Sequence, residues 1–97
     1  MLAREEMLNI LREYKREYSE KYGILEIGVF GSVARGEATA ESDVDICVKT
    51  NNPNPYNLVH IKEDIENHLR VPVDIIRVRD KMNPHLRQRI ERDAIYV

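Results

Sequence analysis

Residues Ile24–Val48 read ILEIGVFGSVARGEATAESDVDICV. The first part, Ile24–Phe30, is a β-rich run bounded by glycines and predicts a strand. The last part, Asp43–Val48, alternates polar and apolar residues with period two, the mark of a strand with two unlike faces. Gly31–Ser42 connects them, with a short helical turn expected to start at Ser32. In a strand, residues i and i+2 project from one face. Asp43 and Asp45 should therefore point together, their backbone positions about 6.6 Å apart, while Val44, Ile46 and Val48 face the core.

Working outward, Met7, Leu11, Tyr14, Tyr18 and Tyr22 recur at steps of three and four. That stripe predicts a helix from about Leu2 to Tyr22, closed by Gly23 at a left-handed cap, with the three tyrosines packed as core. NNPNP at 51–55 is a turn-rich loop. A second helix is expected from Tyr56 to Leu69, with Leu58, Ile61, Ile65 and Leu69 on one side. Val71–Val78 reads as a strand whose Pro72 stands at its start, where a missing N–H does least harm. Asn83 is an N-cap before Pro84, opening a helix to about Arg92, and Ala94–Val97 adds a short strand. The expected class is α/β (α+β), a small mixed β-sheet flanked by helices.

Composition bounds the rest. The 97 residues suit one domain, 1–97, and 42% hydrophobic with 33% charged residues suits a globular rather than a disordered chain. No apolar run approaches the roughly 20 residues that span a bilayer, and the charged N-terminus has no signal-like apolar core. Cys47 is the single cysteine, which excludes an intrachain disulfide and a thiolate-rich zinc site and points to the cytoplasm. Residues 23–76 carry a net −5, whereas 77–97 carry a net +3. A duplex-DNA reader would be more basic; an acidic middle beside a basic tail fits metal cations and a phosphate-bearing ligand better.

Three carboxylates carry the chemistry. Asp43 and Asp45 repel each other unless a cation lies between them, and an all-oxygen site of this kind suits Mg²⁺ or Mn²⁺. Alone, Asp-x-Asp is short and common, and an acidic outer face explains it as well. Gly31-Ser32 follows a strand and opens a turn, so its amides and hydroxyl can face an anion, or Ser32 can simply cap the turn. Asp74 shares its strand face with Pro72, Ile76 and Val78; a buried unpartnered charge there is costly, so a shared metal, an arginine or exposure must compensate. Arg35 is open between a phosphate contact and a turn cap. Arg77, Arg79, Arg87 and Arg89 either line a partner or polyphosphate site or simply solubilise the surface. Glu37 and Glu41 receive no role beyond proximity. His60, His68 and His85 have no zinc spacing with Cys47, which is expected to be structural.

Together, Gly31-Ser32, then Asp43-Val44-Asp45, then Asp74 resemble the nucleotidyltransferase core of the DNA polymerase beta superfamily. The fuller run G-S-V-A-R-G-E-A followed by S-D-V-D resembles the minimal nucleotidyltransferase (MNT) family, over nearly the whole chain. The resemblance implies that fold, with two Mg²⁺ ions held by Asp43 and Asp45 and one of them also by Asp74. It implies Gly31, Ser32 and Arg35 as nucleotide-binding residues, and attack of a hydroxyl on the α-phosphorus of ATP with loss of pyrophosphate. It further implies an antitoxin whose acceptor is a tyrosine of a HEPN-domain ribonuclease toxin, brought by that second protein. The chain is not itself the HEPN toxin: Arg79 and His85 fit that motif, but Arg87 stands where its tyrosine belongs. The alternatives are an antitoxin acting by binding alone and a small-molecule nucleotidyltransferase. Oligomeric state stays open.

Overall fold

The computed structural model describes residues 3–39, 41–51 and 54–97. Its elements run α1 (Arg4–Tyr22), β1 (Ile24–Phe30), α2 (Gly31–Arg35), β2 (Val44–Thr50), α3 (Pro55–Leu69), β3 (Val73–Arg77), α4 (Pro84–Asp93) and β4 (Ile95–Tyr96). The expected start of the first helix at Leu2, and Asn52 and Pro53 of the 51–55 loop, lie outside the described residues. No helix is long and apolar enough to cross a membrane among the described residues.

The local chemistry explains the element ends. Gly23 takes the left-handed conformation (φ 65°), and its N–H returns to the Ser19 carbonyl, closing α1. Asn54 and Asn83 accept hydrogen bonds from Tyr56 N and from His85 N and Leu86 N, and a proline follows each at the first helical turn. β2 starts one residue later and ends two residues later than its alternation suggested. Val44 is the first residue to join the ladder, its N–H donating to the Pro72 carbonyl (3.1 Å), so Asp43 precedes the strand instead of opening it.

The sheet order is β3-β2-β1-β4. β1 runs antiparallel to both β2 and β4, and β2 runs parallel to β3. The parallel step is possible because α3 carries the chain back between them. α1 and α3 cover one face through Met7, Leu11, Tyr14, Ile61, Ile65 and Leu69, packed on Ile27, Val44, Ile46 and Val48. The stripe read from sequence holds, except that Leu8 joins the core and Tyr18 and Leu58 are only partly buried. On the other face a smaller cluster, Phe30, Cys47 and Ile90, lies under α4. β4 crosses close over Gly28, where a Cβ would run into the Ile95 carbonyl.

Candidate active site

Strand register builds the site. Phe30 is opposite Asp45 across β1 and β2, and Asp45 is beside Asp74 across β2 and β3. Adjacent residues of paired strands share a face, so Phe30, Asp45 and Asp74 form one row across three strands. The next row inward is Tyr96, Gly28, Cys47 and Ile76. Asp45 and Asp74 thus lie on the face opposite Val44 and Ile46, as the alternation required. Asp43 is exposed, just ahead of the strand.

At the end of β1 the chain turns sharply. Gly31 has φ 71°, a conformation that favours glycine, and a Cβ on it would run into Oδ2 of Asp45. The Asp45 carboxylate therefore packs directly against the Gly31 backbone. Ser32, half-buried, is the next residue of the short helix α2. Gly31 lies on the side of Asp45 away from Asp74.

The electrostatics mark Asp45 as the centre. Burial pushes its carboxyl above the ordinary carboxylate range; the charge of Asp74 adds to this, Arg89 opposes it, and smaller contributions from Asp43 and Arg35 follow. Asp45 therefore feels both other carboxylates. Among the described residues no three Asp, Glu, His or Cys side chains are gathered closely enough to hold an ion by themselves. The donor set still fits Mg²⁺, which is bound by one or two carboxylates and completes its shell with water and substrate phosphates. All three candidate ligands are hard carboxylate oxygens, two of them side by side on adjacent strands.

Arg35 is engaged by two carboxylates. Its Nε donates to Glu37 Oε2 (3.0 Å) and its Nη1 to Asp93 Oδ2 (2.7 Å). Both edges of the guanidinium are thus occupied by carboxylates, and the residue clamps α2 to the end of α4. Arg92 Nε donates to the other oxygen of Asp93 (2.9 Å). The Asp93 side chain is only 4% exposed, and the two arginines, Arg92 foremost, hold its carboxyl down at about 2. Sequence reading gave Glu37 no role and passed over Asp93. The Arg35-Gly36-Glu37 spacing around a glycine cap was the one local signal for the first; nothing local announced the second.

Cys47 is buried, and burial pushes its thiol up to about 11, so at neutral pH it is an inert thiol. A cavity of about 270 Å³, lined by Asn9, Ile10, Glu13, Tyr14, Glu17 and His68, lies beside α1 and α3. It is on the face of the sheet away from Asp45 and belongs to another part of the molecule.

The chain is similar to known proteins in both sequence and fold. Residues 11–97 match the family described as a nucleotidyltransferase domain. The chain is 37% identical to the protein adenylyltransferase MntA of Thermococcus cleftensis, over 100% of this chain and 98% of that one. It resembles a solved structure provisionally described as a minimal nucleotidyltransferase, with TM-score 0.74 and 35% identity over 93% of this chain and 92% of the other. A likeness of fold alone extends to the structure of a tri-AMPylated Shewanella oneidensis HEPN toxin in complex with MNT antitoxin (TM-score 0.71, 17% identity, covering 96% of this chain and 70% of that chain).

Proposed function

The chain belongs to the nucleotidyltransferase domain family, and on that premise we propose that it transfers AMP from ATP to a tyrosine hydroxyl of a HEPN-domain toxin and so acts as its antitoxin. The observation that carries the reading is the row Phe30–Asp45–Asp74, with the Asp45 carboxylate against the Gly31 backbone. Its two sides are unlike. One offers a Cβ-free turn and a serine hydroxyl for the triphosphate. The other offers a second carboxylate, Asp74, exposed at the edge of the sheet for the acceptor.

Asp45 and Asp74, with Asp43 from the connection ahead of β2, would hold Mg²⁺. When bound, the ion supplies charge neutralisation for phosphates brought beside carboxylates. The amides around Gly31 and the Ser32 hydroxyl orient the triphosphate. Asp74 accepts the proton of the incoming hydroxyl. The new bond forms between that oxygen and the α-phosphorus, the bond from the α-phosphorus to the bridging oxygen breaks, and pyrophosphate departs. Such chemistry is mostly positioning and electrostatics, which this rigid row provides. Arg35 supports it by fixing α2 on α4.

The relative MntA is named a protein adenylyltransferase, and the Shewanella complex joins an MNT antitoxin to an AMPylated HEPN toxin; both are in line with this assignment. The test uses the chain, a co-expressed HEPN-domain neighbour, Mg²⁺ and ATP labelled at either the α- or γ-phosphate. Label should pass to the partner from α-labelled ATP only. Asp45→Asn should lower the rate about a thousandfold, roughly 4 kcal/mol of transition-state stabilisation. Transfer from the γ-position, or full activity in that variant, rejects the proposal. Partner neutralisation by the inactive variant would show that binding alone suffices.

A further inference from the structure

The row through the site continues past Phe30. The Arg89 guanidinium, from α4, lies 5.9 Å from the centroid of the Phe30 ring. Phe30 is the residue opposite Asp45 and the one immediately before Gly31. Across the face the order is therefore Arg89 above Phe30, then Asp45, then Asp74.

Arg89 is held there by the fold. Arg35, at the C-terminal end of α2, is bonded to Asp93 of α4, which fixes how the two helices lie. Arg89 stands four residues earlier on α4, on the same helix face and about 6 Å back along the axis. Phe30 is the N-cap of α2, so Arg89 lies at the turn from which α2 starts. Unlike Arg35 and Arg92, whose guanidiniums are taken up by Asp93, Arg89 makes no hydrogen bond or ion pair among the described residues. It is exposed, and its guanidinium lies over the face of the Phe30 ring.

Resting on the adenylyltransferase reading, we infer that Arg89 is the phosphate-tail residue: it receives the β- and γ-phosphates of the nucleotide and the pyrophosphate that leaves, on the side of Asp45 opposite the acceptor. A planar guanidinium fits this role because it can donate two parallel hydrogen bonds to phosphate oxygens. Arg35 is excluded by its two carboxylates, and Arg87 is tied to Asp80 and Glu91.

The experiment compares binding of ATP, pyrophosphate and AMP, each with Mg²⁺, by calorimetry on the intact chain and on Arg89→Ala and Arg89→Lys. Arg89→Ala should weaken ATP and pyrophosphate at least about tenfold and change AMP less than about twofold. Arg89→Lys should recover part of the loss, since it keeps the charge but not the planar fork. Equal weakening of AMP and pyrophosphate, or none of either, overturns the inference and leaves the adenylyltransferase reading standing. Failure of the unaltered chain to bind ATP overturns both.

Discussion

The two faces of the sheet are built on opposite terms. On the α1/α3 face, long helices bury a continuous apolar cluster from Met7 to Val73. Tyr14, Tyr18 and Tyr22 stack along its margin, with adjacent ring centroids 4.7 and 5.8 Å apart. On the α4 face the buried cluster is Phe30, Cys47 and Ile90, and beyond it the row ends in two carboxylates, of which burial disfavours Asp45 as an anion. One face stabilises the fold. The other uses that stability to hold Asp45 and Asp74 side by side in a geometry they would not choose unaided. The same strand, β2, serves both: Val44, Ile46 and Val48 look one way and Asp45 the other.

This division can be broken on either side. Leu11 is fully buried between α1 and the sheet, and Leu11→Ala should cost about 2–5 kcal/mol of unfolding free energy by lost burial and cavity formation. Denaturant titration measures that loss, and transfer rate per folded molecule should stay unchanged. A loss of activity beyond the unfolded fraction would mean that the faces are coupled more tightly than their separate clusters suggest. Gly31→Ala sharpens the contrast from the other side. The backbone strain at φ 71° alone is worth about 1–2 kcal/mol, and the added methyl must displace Asp45 as well. The variant should be destabilised less than Leu11→Ala yet lose nearly all transfer. An active Gly31→Ala enzyme would show that Asp45 need not lie against that turn.

The same contrast separates what was legible in the sequence from what was not. The helices, the strands and the Gly31-Ser32 turn were readable because periodicity, caps and turn chemistry are written in neighbouring residues. Alternation correctly put Asp45 and Cys47 on one face of β2. It overreached at Asp43, because a strand begins only where a partner strand pairs, and that partner, β3, lies far along the chain. Register is likewise non-local: nothing in VPVDIIRV announces that Asp74 will sit beside Asp45, nor anything in ILEIGVF that Phe30 will flank it. The family resemblance supplied the convergence of the carboxylates. It did not supply Asp93, which bonds Arg35 across 58 positions, or the placement of Arg89 over the Phe30 ring. Helix packing places those charges, and one helix's own sequence does not specify its neighbour.

That packing makes Asp93 the hinge of the comparison, because its contacts fix the helix that covers the functional face. Its carboxyl is held at about 2 in the folded chain, against an ordinary value of 3.8, through Arg92 and Arg35. A carboxyl whose folded value is depressed binds its proton less readily folded than unfolded. It therefore contributes stability that is fully present above pH 4 and lost as pH falls through about 2. The other carboxylates titrate in the same range, so the informative quantity is the difference between the chain and Asp93→Asn. That difference, the smallest of these effects at neutral pH, should be constant from pH 7 to about 5 and shrink toward zero as pH drops from about 4 to 2. Urea unfolding at stepped pH measures it. A difference that stays the same across the range would mean that Asp93 holds α4 by shape and hydrogen bonding rather than by charge. The clamp between α2 and α4 would then be independent of ionisation.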